Sequence, residues 1–539
     1  MLSFSVLGNG KALLVCSVAV NQISGNQLGL EIFHSLRKQV FSPLLVDYGL
    51  PVPRTFTRGV VLALSLGLIK ILNQKKVGKR VGVILPPGIG GFVANIAIIL
   101  SGRIPVNLNF TLGSEINKYL LNSTGINAIL TASKMIEKFP DFPWTEEIIL
   151  VDNYLLSSAK RPFSIFLEII KAKFFPYGLV RKYQISQKGG HELVTILFTS
   201  GSSGMPKGVM LSHENILKNC KQLFDLELFD DRPNVLVNLP LFHSFGFTVG
   251  MIFSVLRGLP LACTANPLDH KLNLKVIQKE KIKTLLGTPT FLRGYLKRAK
   301  NNELSSIKYV VAGAEKSPEE FRLRWEKVAN CDYLEGYGLT EASPAISFNL
   351  PGRGKRNGSV GRLLKGVSCK TLDIDSGKET NLSDGGILCF RGQNIFAGYL
   401  NNQEKTSSVL DTEGWFKTGD LGRIDEDGFL WIEGRVSRFS KIGGEMVPHQ
   451  KVEEAINKIL GLCPDEDLQL VVSARENIQK GEQLVVVTTL ALNLQDLKKA
   501  LREQGLPNLW IPQEIMLLKE IPLLPTGKVN WKEIRSVIA

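Results

Sequence analysis

Short apolar runs separated by stretches of helical length constrain this chain more than any other feature of its sequence. Arg80–Leu85 reads as a strand, Gly91–Ser101 as a helix and Ile104–Asn107 as a second strand. That is the βαβ rhythm of a sheet covered by helices, and it continues across residues 124–310. Beyond Val360 the pattern shifts to short apolar segments punctuated by glycine, as in Gly385–Gly392 and Gly428–Gly434, which predicts antiparallel strands and turns. After Arg435 a polar, basic stretch leads into a helix over His449–Leu460, strands near Gln469–Ser473 and Leu484–Leu490, and a helix over Leu494–Gln504. The expected fold class is α/β: a large N-terminal domain over residues 1–435, of α/β layers plus a β-rich subdomain over residues 360–435, and a small α+β C-terminal domain over residues 436–539.

Composition narrows the classes further. With 44% hydrophobic and 21% charged residues in 539, the chain can bury a sizeable core and does not read as disordered. Its seven cysteines, Cys16, Cys220, Cys263, Cys331, Cys369, Cys389 and Cys463, form no CxxC pair. Reduced thiols in the cytoplasm are therefore expected, and neither a disulfide framework nor a zinc site. No apolar run reaches the roughly 18 residues of a membrane-spanning helix. The mostly apolar start, Met1–Val20, has only Lys11 as a basic flank and no clear cleavage site, so it reads as part of the fold and not as a signal peptide.

The net charge of +15 is unevenly spread: residues 436–539 hold 13 basic and 13 acidic side chains, leaving the whole excess in residues 1–435. Asn153–Gly190 carries Lys160, Arg161, Lys171, Lys173, Arg181, Lys182 and Lys188 against Glu168 alone, interleaved with Phe163, Phe166, Phe174, Phe175 and Tyr177. Asn266–Lys308 holds ten basic against three acidic residues. Such stretches are either solvated faces or docking surfaces for an acidic protein or an anionic lipid.

The segments that carry chemistry begin with the β-branched run Val194–Phe198, which leads into Thr199-Ser200-Gly201-Ser202-Ser203-Gly204-Met205-Pro206-Lys207-Gly208. Glycines let backbone N–H groups converge on oxyanions, hydroxyls add donors and the lysine adds a mobile charge, so the loop suits a phosphate chain. It does not fit GxxxxGK[ST], and its helix starts later, with Ser212 as N-cap;. Glu335–Glu341 (EGYGLTE) sets a ring, a hydroxyl and a carboxylate on one glycine-flanked turn, offering a stacking face, a phosphate donor and a magnesium ligand. Trp415–Asp420 supplies a carboxylate suited to the hydroxyls of a ribose, Gly434-Arg435 a fixed charge, and Pro525–Lys528 a lone lysine on a tight turn.

In this order these segments resemble the adenylate-forming superfamily of acyl-CoA synthetases, peptide-synthetase adenylation domains and luciferases, over nearly the whole chain. The resemblance implies that Thr199, Ser200, Gly201, Ser202, Ser203, Gly204 and Lys207 bind the triphosphate of ATP. It implies that Gly313, Ala314, Glu315, Tyr337 and Gly338 frame adenine, that Thr340 meets phosphate and that Glu341 helps hold Mg2+. Asp420 matches the ribose-binding carboxylate, Arg435 the arginine that closes the domain, and Lys528 the lysine that bridges the substrate carboxylate and the α-phosphate. Two steps are implied: a carboxylate attacks the α-phosphate to give acyl-AMP and pyrophosphate, then a thiol displaces AMP. The C-terminal domain is then a mobile lid that exchanges Lys528 for the Lys441–Glu445 face (KIGGE), with Lys441 serving the second step. The hinge position, usually Asp or Lys in the family, falls on Arg438.

The acyl site is expected beside His243 in Pro240–Gly250 (PLFHSFGFTVG), with Phe245, Phe247 and the Gly287–Phe291 strand end walling an apolar tunnel for a long-chain fatty acid;. The combination of that segment with Val310–Lys316 (VVAGAEK), EGYGLTEASP and KIGGEMV is similar to the acyl-[acyl-carrier-protein] synthetase part of bacterial bifunctional acyltransferase/synthetases. The acyltransferase signature HxxxxD is missing, since no Asp stands five residues after any of the six histidines. The resemblance thus implies a ligase that transfers fatty acids to holo acyl carrier protein, an acidic partner that a +15 surface suits, with coenzyme A as the alternative acceptor. An anionic membrane surface is a further expected partner, on the inner face, and nucleic acid is not.

Overall fold

The computed structural model describes residues 25–75, 77–199, 205–228, 231–300, 302–443, 445–462, 468–477, 481–523 and 529–539. Met1–Val20 lies outside them. Helix Ile89–Leu100 (IGGFVANIAIIL) has apolar residues on all sides and is buried along nearly its whole length, so its sequence shows a continuous apolar run where a surface helix would show a stripe;. Its register on the sheet is set by two amides. Asn95 and Asn107, both buried, exchange hydrogen bonds of 3.2 and 2.8 Å between this helix and strand Ile104–Asn107.

That strand belongs to a seven-stranded sheet in the order Gly398–Tyr399, Lys207–Ser212, Leu193–Thr199, Ile104–Asn107, Arg80–Val83, Ala128–Thr131 and Glu147–Leu150. Its inner pairs are parallel, while Leu193–Thr199 turns back antiparallel into Lys207–Ser212. A second, nine-stranded sheet carries Asp332–Gly338, Tyr309–Ala312, Thr284–Gly287 and Val235–Val237 side by side and parallel. The two are tied at Asp47, which ends strand Pro43–Asp47 of the second sheet. Its Oδ2 accepts from the backbone N–H of Ile89 at 2.8 Å, at the start of a helix that packs on the first;. Burial pushes the Asp47 carboxyl pKa up against these backbone donors.

Antiparallel strands follow where glycine-punctuated segments predicted them: Ser368–Leu372, Gly386–Arg391, Phe416–Ile424 and Leu430–Arg435 form one sheet with Glu379–Thr380. Residues of this sheet share one apolar core with both larger sheets. Further on, helix His449–Leu460 stands as read from the sequence, with strands Leu470–Asn477 and Gly481–Thr488 and helix Leu494–Glu503. Their apolar residues form two cores, one within Ile442–Ile511 and one within Val471–Ile538.

Two exposed ion pairs join this C-terminal part to the rest, Lys316–Glu454 and Lys441–Asp375, at 2.8 and 2.9 Å. Arg438 instead points into the C-terminal part: it donates to Glu453 Oε1 and to the Val472 carbonyl, each at 2.7 Å, and its guanidinium lies 3.6 Å from the centre of the Trp531 ring;. No helix among the described residues is long and apolar enough to cross a membrane.

Helix His213–Phe224 begins as its sequence predicts, Ser212 and Asn215 capping each other's backbone N–H groups;. The buried His213 Nδ1 accepts from the Leu28 N–H at 3.1 Å, tying down helix Leu28–Lys38. Burial holds this imidazole down at about 4, against an ordinary value of 6.5. A depressed folded value means that the stabilisation is complete above pH 6.5 and is lost as the pH falls toward 4, because protonation removes the acceptor. At pH 5 the loss is about 2 kcal/mol, or roughly 2 °C in melting midpoint for a chain of this size. Thermal melts at pH 7 and pH 5 check this: in His213→Gln, which keeps a non-titrating acceptor, the midpoint should fall less by that margin, and equal falls would exonerate His213.

Candidate active site

Three parallel strands end at one edge of the nine-stranded sheet, and their glycines let the chain crowd there. Gly313 N–H donates to the Gly287 carbonyl at 3.3 Å. A Cβ on Gly313 would stand 3.4 Å from the Gly336 carbonyl and 3.9 Å from the Phe245 ring, so Gly287, Gly313, Gly336 and Phe245 line one cleft edge. A Cβ on Gly338 would meet the Pro344 carbonyl at 2.1 Å, which forbids any side chain there;. Ala314 takes a left-handed φ of +72°, bending the chain so that Glu315 turns back to Thr290. Glu315 Oε2 accepts from the Thr290 N–H and hydroxyl at 3.2 and 2.7 Å, while Oε1 is buried without a hydrogen-bond partner.

Beside this edge Tyr337 OH donates to Asp420 Oδ2 at 2.5 Å, and Arg435 Nε donates to Asp420 Oδ1. Asp420 and Arg435 are cross-strand partners on Phe416–Ile424 and Leu430–Arg435;. Burial and then the Asp420 charge push the Tyr337 phenol well up, and Asp420 holds the Arg435 guanidinium above its ordinary range. The groups expected at adenine and ribose, Tyr337 and Asp420, therefore form one linked unit with Arg435, the arginine expected to close the domain.

The second cluster forms on the short 3₁₀ turn Thr340–Ala342. Thr340 Oγ1 lies 3.3 Å from Ser244 Oγ, and the buried Glu341 accepts from Tyr399 OH at 2.8 Å. Strand Gly398–Tyr399 pairs antiparallel with Lys207–Ser212, which brings Tyr399 next to Lys207, whose Nζ lies 5.3 Å above the phenol ring. Burial and then the charge of Lys405 hold the Lys207 ammonium below its ordinary range, with Glu341 opposing. Lys207, Gly208, Tyr399, Asn402 and Lys405 line an open cavity of about 400 Å³. Two cations facing one polar cavity form a receptor for an anion.

Behind both clusters lies a buried amide network. Asn219, on helix His213–Phe224, accepts from the Ala345 N–H at 3.1 Å and donates to the Ala345 carbonyl at 2.8 Å. Asn394 donates to the carbonyls of Ala342 and Ala345, and Ser343 Oγ donates to the Asn394 carbonyl. Asn215 donates to the carbonyls of Gln393 and Ile395, and the Phe396 N–H to the Glu341 carbonyl. The chain just after Thr340 and Glu341 is thus pinned to Asn219, 126 residues before Ala345, and to Asn394, about 50 residues after it.

Of the residues picked out from the sequence, Thr199, Lys207, Gly313, Ala314, Glu315, Tyr337, Gly338, Thr340, Glu341, Asp420 and Arg435 stand on these adjoining elements, with Phe245 and Gly287 at the cleft edge. His243 precedes the wide-turn π-helix Phe245–Phe253, its ring 4.8 Å from that of Phe242. Phe247 and Phe291, expected to wall a tunnel, are packed in the main core. Lys441 is not brought to the clusters, since Asp375 holds its ammonium. Ser200, Gly201, Ser202, Ser203, Gly204 and Lys528 lie outside the described residues. Tyr399, Ser244, Thr290, Asn219 and Asn394 were not picked out. Tyr399 alone carries a local signal, as an aromatic hydroxyl after Gly398 in a strand that pairs back onto the lysine strand.

An AMP-binding enzyme family model matches residues 56–400, and the chain belongs to that family. Among characterised relatives, a long-chain-fatty-acid–CoA ligase of Bacillus subtilis is 27% identical over 502 residues, covering 87% of each chain. One of Salmonella typhimurium is 26% identical over 490 residues, covering 86% of each. The fold matches ATP-bound MatB from Rhodopseudomonas palustris with a TM-score of 0.77 at 22% identity, over 95% of this chain and 99% of that one. It also matches o-succinylbenzoate coenzyme A synthetase of B. subtilis in complex with ATP and magnesium, with a TM-score of 0.76 at 21% identity, over 94% and 99%.

Replacing Asn219 by Ala would take the acceptor from the Ala345 N–H, while the Ala345 carbonyl keeps the Asn394 amide, at a cost of about 1–3 kcal/mol. The melting midpoint should fall by roughly 1–3 °C. Calorimetry checks this; an unchanged midpoint would remove Asn219 from the support of the Thr340 turn.

Proposed function

We propose that this chain is an ATP-dependent fatty-acid ligase that forms an acyl-AMP and passes the acyl group to a thiol, with coenzyme A as the acceptor. The observation that carries this reading is the meeting of Lys207, Tyr399–Glu341 and Tyr337–Asp420–Arg435 around the turns at 313–315 and 337–341. The clusters supply what the reaction needs. In the first step a carboxylate oxygen attacks the α-phosphorus, and the bond to the bridging oxygen of pyrophosphate breaks. Attack of one anion on another is slow unless fixed cations and donors neutralise charge as it shifts to the leaving group. Lys207 and Lys405 serve the phosphates, the Asp420 unit and the open acceptor on Glu315 orient the nucleoside, and Lys528 bridges the carboxylate and the α-phosphate.

Magnesium supplies charge neutralisation on the triphosphate when bound. Glu341 is the side chain that would hold it, and the described residues contain no cluster of three or more His, Cys, Asp or Glu. That donor set fits an ion carried mostly by phosphate and water. In the second step the thiolate attacks the acyl carbon and AMP leaves, with Lys441 and the glycines beside it at the acyl end. The separate cores of the C-terminal part and, among the described residues, its two exposed ion pairs to the rest support reading residues 436–539 as a mobile lid on residues 1–435, since pairs of that kind contribute at most about 1 kcal/mol each.

The fatty-acid substrate and coenzyme A are supported by the names of the ligases from B. subtilis and S. typhimurium. Acyl carrier protein as acceptor rests on the +15 charge and on the likeness of four short motifs. Fatty acids partition into bilayers, and a basic N-terminal part suits work at an anionic membrane surface on the cytoplasmic side.

Purified enzyme given Mg-ATP and a long-chain fatty acid, with coenzyme A and holo acyl carrier protein offered in parallel, should form thioester on coenzyme A. Turnover on the carrier protein alone would reverse the acceptor, and no AMP release with any fatty acid would overturn the ligase reading. Lys528→Ala should abolish acyl-AMP formation yet spare thioester formation from supplied acyl-AMP; equal loss of both steps would refute that division of labour. Tyr399→Phe, which strips Glu341 of its hydroxyl donor, should slow the first step roughly tenfold, read as pyrophosphate release; an unaltered rate would make Tyr399 a bystander.

A further inference from the structure

Helix Pro162–Phe174 is apolar on two opposite faces. Ile165, Ile169 and Ala172 face inward, Ile165 and Ile169 against Val40, Val60 and Ala63. Phe163, Phe166, Leu167, Ile170 and Phe174 recur at the i, i+3, i+4, i+7, i+11 spacing of a second stripe;, and four of them are exposed, Phe163 by 71% and Phe174 by 60%. Phe175 and Tyr177, the N-cap and a first-turn residue of the next helix, Pro176–Lys182, are exposed by 68% and 87%, and helix Val151–Ala159 adds Leu156. Scattered exposed apolar residues are ordinary on a protein surface, but a run of this length is not.

The rim of the stripe is basic. At helical spacing Lys171 and Lys173 fall on either flank. Residues 156–182 hold Lys160, Arg161, Lys171, Lys173, Arg181 and Lys182 against Glu168 alone. Glu168 is already held by Lys171 and Lys182. Lys173 lies over the rings of Phe41 and Phe174, its stem on the apolar surface and its charge at the edge;. Aromatic and aliphatic groups in the middle, with cations at both flanks, is the pattern of a helix that lies in a lipid interface. An acidic protein would be met by the charges but would leave the rings in water.

We propose that the outward face of residues 156–182 docks on an anionic lipid bilayer, with Phe163, Phe166, Leu167, Ile170 and Phe174 at the acyl boundary and the flanking lysines and arginines among the headgroups. This rests on the fatty-acid reading for its purpose, since such a substrate resides in bilayers, but docking is measured apart from turnover.

Sedimentation of the full chain with phosphatidylcholine vesicles, with and without phosphatidylglycerol, tests it. Binding should require phosphatidylglycerol and weaken with salt. Phe166→Ser and Phe174→Ser should each weaken it by roughly tenfold or more, and Lys160→Gln and Lys173→Gln by roughly fivefold each. All four positions are exposed, so melting midpoints should hold, as should turnover of a short-chain acid without vesicles. No binding by the native chain, or equal binding by all variants, would overturn the proposal. So would binding that appears only after residues 1–24 are removed, or variants that lose affinity for holo acyl carrier protein while vesicle binding is unchanged. Failure of the fatty-acid reading would show as vesicle binding with no AMP release, a different result from each of these.

Discussion

The carboxamides of Asn215, Asn219 and Asn394 form the junction on which the candidate site depends. Three layers meet there: the helix after the lysine strand, the turn of Thr340 and Glu341, and the segment that leads to Tyr399. In a dry interior an amide without partners costs free energy, so donors and acceptors that are matched in one arrangement favour that arrangement. Lys207, Tyr399 and Glu341 come from chain segments nearly 200 residues apart at the extremes. Their mutual distances are nevertheless set, because Asn215 joins the end of the Lys207 strand to the segment before Tyr399, while Asn219 and Asn394 hold the chain that follows Glu341. The positions of the catalytic candidates are thus a property of polar groups that never face the cleft.

Electrostatics at the cleft works in the opposite sense. The network behind is neutral and leaves only the Asn394 Oδ1 without a donor among the three carboxamides, and the front holds charges that are only partly matched. Lys207 is pressed by Lys405 and eased by Glu341, and Glu315 keeps one buried oxygen without a donor. Asp420 accepts one bond on each oxygen, from a phenol and a guanidinium. Incomplete matching is costly in an empty cleft and favourable in one filled by a ligand rich in phosphate and amine groups, so part of the folding free energy is held back for binding.

How far this was legible in the sequence follows the range of the forces involved. The cap at Ser212, the helix His449–Leu460 and the strand Ile104–Asn107 are where local signals put them, since capping and periodicity act within a few residues. The glycines at 287, 313 and 338 were marked by their motifs, and crowding at the strand ends explains those at 287 and 338. Tyr399, Asn219, Asn394, Ser244 and Thr290 went unmarked, because each matters through a partner between 25 and 126 residues away. Lys441 shows a different limit, since the sequence names a role for the side chain while its position depends on how the C-terminal part sits. The outward stripe of Pro162–Phe174 was visible as composition, but only its packing shows that the helix has a second apolar face to spare.

Arg435 and Arg438 stand three residues apart, and each makes its contacts on a different side of the proposed domain boundary. The first is bound to Asp420 beside the cleft, the second to Glu453, Val472 and Trp531 in the C-terminal part. Reorientation that keeps both sets of contacts must be absorbed by the backbone between them, Val436 and Ser437, each with two soft dihedrals. A joint with so few degrees of freedom cannot wander through a continuum of poses. If residues 436–539 move as the proposed lid, such a joint would switch among the few combinations that sterics allow, and the contacts of Arg438 would keep it short and stiff.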